Sequence, residues 1–263
     1  IILKSKLDVN YSIETYPLPF ISYEHSWGKP GGYLDQIKSK VIIVNGNGSF
    51  YSFDKGDLNS KKIEFEKINT NIKDIIKDSD FYIKGSRTVR DLLIVNDMVL
   101  ISYAKKQSDD CYNMSMLISE FNLKMLQFKE FFSYPECQGE FADVSKSGGR
   151  MVYYKDNKIL LSTGEFGKRP LAQDENSLFG KIISIDLKSK HYEIISIGHR
   201  NPQGLYYDKD KNVIISTDHG PKGGDEINVN LDPNHISFVE NYGWPISSYG
   251  EHYDGEFYDD APL

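Results

Sequence analysis

The sequence has few of the patterns that mark membrane or nucleic-acid-binding proteins. None of its apolar runs approaches the ~20 residues that a membrane-spanning helix needs, and the longest, such as residues 41–44, have the length of a strand. Its 31 Lys and Arg are outnumbered by 38 Asp and Glu, which gives a net charge of −7 without a basic block. We therefore expect no membrane span and no nucleic-acid partner.

Helical periodicity is also scarce. Residues 72–76 fit one helical turn, and little else repeats apolar residues at helical spacing over ten positions. The aromatic fraction is high by contrast, at 13%, with 18 Tyr and 14 Phe. Because tyrosine suits half-buried sheet surfaces, the composition favours an all-β fold.

The chain has only two cysteines, Cys111 and Cys137, and both lie beside polar, turn-like residues. They are either two independent thiols or one disulfide that closes a hairpin built from residues 114–121 and 125–132. A disulfide would stabilise the fold by ~3.5 kcal/mol on the chain-entropy estimate. It would also place the protein outside the cytosol, in a periplasmic or extracellular location.

Four segments resemble one another, and each is an apolar strand, a polar turn and a second strand. They are VIIVNGNGSFYSFDK (41–55), DLLIVNDMVLISYAKK (91–106), RMVYYKDNKILLSTGE (150–165) and GLYYDKDKNVIISTDH (204–219). A further β-rich stretch follows each pair. The four segments recur about every 50 to 60 residues along the chain, and this spacing predicts a β-propeller rather than a β-sandwich. We expect a single propeller domain over residues 1–263, with blades near 34–68, 91–132, 148–197 and 202–240.

The last quarter of the chain contains three short segments with the composition of a site: GHRNPQGL (198–205), DHGPKGGDEIN (218–228) and NYGWP (241–245). Glycine lets a backbone come close to a ligand, and proline fixes where a carbonyl points. Arginine and carboxylates supply the charge that holds an anion or a metal.

At these residues the chain resembles the glucose/sorbosone dehydrogenase family, specifically its soluble aldose sugar dehydrogenases that use pyrroloquinoline quinone (PQQ). The resemblance is strongest over residues 148–255. It covers, in the family's order, SGGRMVYY, STGEFGKRPLAQDENSLFGKIISID, GHRNPQGL, DHGPKGGDEIN and NYGWP. The family fold is a six-bladed propeller, so the resemblance implies that about two C-terminal blades are missing here.

The resemblance also implies cofactors and the residues that hold them. Arg200, Asn201 and Gln173 match positions at the PQQ site, and Gly220 and Pro221 match the main-chain ligands of a catalytic Ca²⁺. Some members bind further calcium near a subunit contact, where this chain has Asp225, Glu226 and Tyr242, which implies a homodimer. We interpret Trp244 as a packing residue between blades.

One departure from the family concerns the catalytic base. The family's base histidine stands just before the Gly-Gly-Arg element, and Lys146 occupies that position here. Because a free lysine has a pKa of ~10.4, we expect Lys146 to stay charged and to be a poor base. The other candidates for the base are His25, His199 and His219.

Three functions therefore stay open from sequence. The first is a PQQ- and calcium-dependent sugar dehydrogenase that oxidises the C1 hydroxyl of an aldose. The second is a non-catalytic relative that binds a sugar, a glycan or calcium. The third is an extracellular scaffold or interaction module.

Overall fold

The computed structural model describes residues 2–4, 10–12, 31–60, 62–83, 86–109, 111–139, 142–234 and 238–251. These residues form an all-β fold in which four antiparallel sheets are arranged as propeller blades. The predicted fold class is thereby confirmed. Among the described residues, no helix has the length and apolar character to cross a membrane.

Each blade is a meander of consecutive strands. Blade 1 contains Gly32–Ile37, Lys40–Asn45, Phe50–Asp54 and Glu66–Thr70. Blade 2 contains Val89–Val95, Met98–Ser108, Cys111–Glu120 and Lys129–Ser133. Blade 3 contains Gly148–Tyr153, Lys158–Thr163, Lys181–Asp186 and Tyr192–Ile197. In blade 4, the described strands are Pro202–Asp208, Val213–Asp218 and Glu226–Asn230.

The remaining elements are short. Two small ribbons pair Ile2–Lys4 with Asn10–Ser12, and Tyr82–Ile83 with Ser86–Arg87. One α-helical turn spans Ile72–Ile75, where the sequence predicts it. The 3₁₀ turns are Lys55–Asn59, Asp78–Phe81, Val144–Lys146 and Arg169–Ala172.

Two further strands connect neighbouring blades. Met125–Leu126 pairs in parallel with the last strand of blade 1, and Glu240–Asn241 pairs in parallel with the last strand of blade 3. Each follows the third strand of the next blade, so the chain reaches back to the outer edge of the blade before it. This pairing covers an edge that would otherwise expose unpaired backbone groups.

Local sequence explains why the strands form where they do. The second strand of blade 1, Lys40–Asn45, is apolar along its length and buried at its last five residues. Tight hairpins need left-handed backbone, and asparagine and aspartate tolerate it best among residues with a side chain. Asn96 and Asp97 adopt φ of 51° and 56° between the first two strands of blade 2, and Asp156 and Asn157 adopt 55° and 60° in blade 3.

The segment 41–55 is displaced by one strand from the repeat that the sequence suggests. It forms the second and third strands of blade 1, whereas the three segments aligned with it form the first and second strands of their blades. The first strand of blade 1 is Gly32–Ile37, whose burial alternates along its length. Hairpins within one blade resemble each other chemically, so local pattern alone does not fix the register of a repeat.

The first strands of consecutive blades lie side by side, in the order blade 1 to blade 4. They run in the same direction, because equivalent positions meet. Asp91 and Arg150, each the third residue of its strand, pair at 2.9 Å, and Asn201, just before the first strand of blade 4, bonds to Gly148 at the start of the first strand of blade 3. The beginnings of these strands therefore gather at one end of the arc. We call this end the central face.

Apolar side chains fill the spaces between the blades. The largest cluster joins blades 2 and 3, and it includes Met116, Leu161 and Ile183. A second cluster joins blades 1 and 2, and a smaller one joins blades 3 and 4. Cys111 and Cys137 form a disulfide with a Cα–Cα distance of 5.3 Å, which fastens the third strand of blade 2 to the segment after its fourth strand.

Candidate functional site

Arg200 lies on the central face just before the first strand of blade 4. Its Nη1 donates hydrogen bonds to the main-chain oxygens of His219, at 2.6 Å, and Gly220, at 2.8 Å. The guanidinium also lies over the Trp244 ring, 5.3 Å from its centroid. Arg200 therefore joins the 198–205 and 218–228 segments, although only 6% of it is exposed.

Asp218 fixes the backbone at Arg200 and Asn201. Its carboxylate accepts hydrogen bonds from the main-chain N–H groups of Arg200, at 3.0 Å, and Asn201, at 2.6 Å, and it lies 3.3 Å from Nδ1 of His199. Asp218 is 4% exposed. A buried carboxylate with several donors fixes the backbone around it, because charge-assisted hydrogen bonds are short and directional.

Asn201 links blade 4 to blade 3. Its Oδ1 accepts a hydrogen bond from the main-chain N–H of Gly148 at 3.0 Å, and its Nδ2 donates to the main-chain oxygen of Ser145 at 3.3 Å. The side chain matched to the cofactor site is thus bonded to the segment that carries Lys146.

Lys146 lies between two carboxylates on the central face. Its Nζ is 3.3 Å from Asp143 and 3.7 Å from Glu165, and its side chain is 24% exposed. Glu165 is fully buried, and its main-chain N–H donates to the carbonyl of Arg200 at 3.0 Å. Lys146 is therefore ion-paired on two sides.

Glu165 is the buried acid at the centre of this group. Burial raises the pKa of Glu165, while the Trp244 hydrogen bond and the Lys146 cation act in the opposite direction. Nε1–H of Trp244 donates to Oε2 at 3.1 Å, whereas the other oxygen, Oε1, has no hydrogen-bond partner among the described residues.

Trp244 and Gln173 close one side of the site. Trp244 is 3% exposed and its main-chain N–H donates to the oxygen of Gly198. The amide of Gln173 donates to the oxygen of Trp244 at 2.6 Å and exchanges hydrogen bonds with Asn241. Gln173 thus orders the 241–245 segment, and Trp244 packs against Ala172.

The turn after Asp218 carries the positions matched to calcium ligands. A Cβ on Gly220 would lie 1.7 Å from the oxygen of Gly224, so a side chain does not fit there. The oxygen of Pro221 accepts a hydrogen bond from the N–H of Gly224 at 2.9 Å. The turn is therefore built on close backbone approach.

The two histidines of this region have different surroundings. His199 is fully buried, 2.8 Å from Oγ of Ser196, and its ring lies against Tyr242. His219 is 53% exposed, and its Nδ1 lies 2.8 Å from Asp225. This hydrogen bond is the main reason that the pKa of Asp225 is lowered. His25 lies outside the described residues.

The three residues matched to a second calcium site have different partners. Asp225 is bonded to His219, while Glu226, on the next strand, accepts from Asn228 at 3.2 Å and has its pKa raised by burial. Tyr242 packs against the ring of His199, and burial raises the pKa of its hydroxyl to about 12. Among the described residues, no group of three or more His, Cys, Asp or Glu side chains is placed to hold a metal.

Comparison with known protein families identifies the family of this chain. The model of a family described as glucose/sorbosone dehydrogenase matches residues 90–261, which is more than half of the chain. The chain belongs to the glucose/sorbosone dehydrogenase family.

Two known proteins are similar to this chain in sequence. The aldose sugar dehydrogenase YliI of Escherichia coli (strain K12) is 34% identical over 121 residues, which cover 41% of this chain and 31% of that protein. The quinoprotein glucose dehydrogenase B of Acinetobacter calcoaceticus is 28% identical over 127 residues, which cover 37% of this chain and 25% of that protein. The matches span less than a third of each relative.

A crystal structure of a glucose dehydrogenase has a similar fold. It superposes with a TM-score of 0.68 at 22% identity, over 89% of this chain and 69% of that chain. At this identity the similarity establishes the propeller fold and nothing finer.

Three residues of this glucose/sorbosone dehydrogenase family member matter more than the sequence indicated: Asp218, Glu165 and Lys181. Lys181 is fully buried, and its Nζ donates to the oxygens of Leu171, Ala172 and Phe179. Burial lowers its pKa to about 8. The available signal was a charged residue inside or beside an apolar strand, since such residues are buried only with partners.

Proposed function

We propose that this chain belongs to a PQQ-dependent sugar dehydrogenase, whose cofactor site is on the central face. The observation that carries the proposal is the direct contact between Arg200 and the Gly220 carbonyl, at 2.8 Å. It joins the segment matched to cofactor contacts with the segment matched to the catalytic metal. The sequence relatives named as aldose sugar dehydrogenase and quinoprotein glucose dehydrogenase support the same assignment.

The residues present fit an anionic quinone. PQQ carries three carboxylates, and Arg200 and Lys146 place two cations on the central face. An arginine fork binds a carboxylate or a quinone oxygen, and an ammonium adds a point charge. When bound, the quinone supplies the electron acceptor for oxidation of an alcohol to a carbonyl.

Calcium fits less completely. Calcium in proteins takes about six to eight oxygen ligands. The turn offers the carbonyls of Gly220 and Pro221, and each already accepts a hydrogen bond within the chain. A carbonyl oxygen has a second lone pair, so both remain able to bind a cation. Asp225 is the nearest carboxylate on this turn.

Proton transfer would use Lys146 and Glu165 together. A lysine is an ammonium group at neutral pH, so Lys146 would accept the proton of a sugar hydroxyl only as it passes one of its own to Oε1 of Glu165, 3.7 Å away. The raised pKa of Glu165 makes this carboxylate a stronger base than an exposed one. By way of Lys146, the carboxylate of Glu165 thus takes up a proton and becomes neutral.

The decisive experiment reconstitutes the full-length protein with PQQ and Ca²⁺ and measures dye-linked oxidation of aldoses. We expect turnover and a thermal shift, since a ligand at a hundred times its Kd stabilises by about 2.7 kcal/mol. Glu165→Gln should retain the thermal shift and lose turnover. Absence of both PQQ binding and turnover in the wild-type protein would refute the proposal.

The ion pairs of Lys146 favour one alternative, a non-catalytic relative that binds a sugar, a glycan or calcium. In that case sugar or calcium binds to the wild-type protein without turnover. A Lys146→His variant separates the two functions: gain of dye-linked activity would show a complete site that lacks only its base. The disulfide supports a periplasmic or extracellular location for either function.

A further inference from the structure

Three consecutive blades carry a cation at the same position, two residues before the first strand. We call these residues the cation crown: Arg87, Lys146 and Arg200, before strands that begin at Val89, Gly148 and Pro202. Because the first strands run side by side in one direction, the three residues lie together on the central face.

Contacts between the blades confirm that the crown is one surface. The Ser86–Arg87 strand lies against the Val144–Lys146 turn. Nη2 of Arg90 donates to the oxygen of Val144 at 2.6 Å, and the side chain of Asn201 donates to the oxygen of Ser145. Each blade is therefore fastened to the next at the level of the crown.

The blade 2 side of the crown carries two arginines, Arg87 and Arg90. Within the described residues, neither Arg87 nor Arg90 is part of an ion pair, and Nη1 of Arg87 and Nε of Arg90 are buried without a hydrogen-bond partner. Burial, with Arg87 adding to it, lowers the pKa of Arg90 to about 10.

The residues next in sequence carry unsatisfied hydroxyls. Thr88 and Ser147 follow Arg87 and Lys146 directly, and both are fully buried. Neither hydroxyl has a hydrogen-bond partner in the described part of the chain. Such groups are uncommon, because an unsatisfied buried polar group costs about 1–3 kcal/mol.

Carboxylates are distributed unevenly around the crown. Its cations are the three crown residues and Arg90. The nearby carboxylates are Asp143 and Glu165, beside Lys146, and Asp218 and Asp225, beside Arg200. The Arg87 side therefore keeps a surplus that attracts an anion.

We propose that the Arg87 side of the cation crown binds the anionic group of an acidic sugar, so that the ligand class is a sugar with a carboxylate or phosphate rather than a neutral aldose. The identification of the ligand as a sugar rests on the proposed function. A hexuronate keeps its C1 hydroxyl while it presents a carboxylate at the other end of the ring. An arginine fork matches that carboxylate, whereas a neutral sugar needs only hydrogen-bonding groups.

The test is calorimetric titration of the full-length protein, without cofactor, with glucuronate, glucose 6-phosphate and glucose. We expect at least one of the two anionic sugars to bind about tenfold or more tightly than glucose. The preferred anion identifies carboxylate or phosphate. Equal affinity for all three sugars, or no binding of any, would overturn the proposal.

Substitutions locate the site on the crown. Arg87→Gln should lose about tenfold in affinity for the preferred anionic sugar and leave glucose unchanged, and Arg87→Lys should lose less. The control Lys158→Gln removes a cation paired with Glu193 at the outer side of blade 3 and should change neither affinity. Unchanged binding in Arg87→Gln would refute the assignment to Arg87.

Two further outcomes keep this inference separate from the proposed function. In wild-type protein, raising NaCl from about 50 to about 500 mM should weaken the binding of the anionic sugar and leave that of glucose unchanged. An affinity for the anionic sugar that does not depend on salt would count against the crown. Anionic-sugar binding without PQQ binding would leave the crown standing and remove the dehydrogenase. PQQ-dependent oxidation of glucose with no preference for anionic sugars would do the reverse.

Discussion

Replacement of Asp218 by alanine tests whether one buried carboxylate builds the central face of blade 4. Asp218 accepts hydrogen bonds from the main-chain N–H groups of Arg200 and Asn201, at 3.0 and 2.6 Å. Each charge-assisted hydrogen bond contributes about 1.5–3 kcal/mol. We therefore expect Asp218→Ala to lower the free energy of unfolding by about 3–6 kcal/mol, which is a large part of the stability of an ordinary domain.

Two further variants isolate the cause. Asp218→Asn keeps an oxygen for the two N–H groups and places an amide near Nδ1 of His199, so we expect a loss of about 1–2 kcal/mol. Asp208 also accepts two main-chain N–H groups, of Asp210 and Lys211, but at an exposed turn of the same blade. Asp208→Ala should therefore cost less than about 1 kcal/mol.

Urea unfolding followed by circular dichroism measures these differences, because a change in midpoint at constant slope reports stability. The expected order of stability is wild type and Asp208→Ala, then Asp218→Asn, then Asp218→Ala. If Asp218→Ala unfolds at the same urea concentration as Asp208→Ala, the burial and the hydrogen bonds assigned to Asp218 do not hold this region together.

Three other predictions concern the disulfide, a buried acid and the metal turn. Cys111→Ser with Cys137→Ser should lower stability by about 3.5 kcal/mol in urea unfolding, and an unchanged midpoint contradicts this. Burial raises the pKa of Asp91 to about 6, so its contribution to stability is full below about pH 4 and falls by up to about 3 kcal/mol as pH rises through about 6. Asp91→Asn should flatten that profile, and a slope that persists contradicts the assignment. Gly220→Ala should displace the turn, since the new Cβ would lie 1.7 Å from the oxygen of Gly224. We expect this variant to lose the thermal shift with PQQ and Ca²⁺ and to keep the circular dichroism spectrum of the folded protein. A retained thermal shift would contradict this prediction.

Local sequence was sufficient for most of the fold. Alternating or continuous apolar runs predicted the strands, and the run at residues 41–44 lies within the strand Lys40–Asn45. The propeller arrangement and the family were confirmed because repeats and motifs are written directly in the order of residues. The disulfide stayed one of two alternatives, since two cysteines alone do not reveal whether their Cβ atoms come close.

The site was only partly visible from sequence. Motif order indicated Arg200 and Gly220, which the structure brings within 2.8 Å. Nothing in the local sequence indicated that Lys146 would lie beside Glu165. Nor did it indicate that Asp218 would accept hydrogen bonds from Arg200 and Asn201. Those partners lie 17 to 19 positions apart in the chain. Their meeting depends on how neighbouring strands pair, and a side chain's position in the sequence does not state its partner.

The sequence by itself determined the strands, the tight turns and the membership of a family, because backbone preference and side-chain periodicity act over a few neighbouring residues. Tertiary structure alone decided that three cations from three blades share one face. That result requires parallel first strands in adjacent blades, held by buried contacts between sheets. Electrostatic interaction depends on distance through space, and only the packed blades fix that distance.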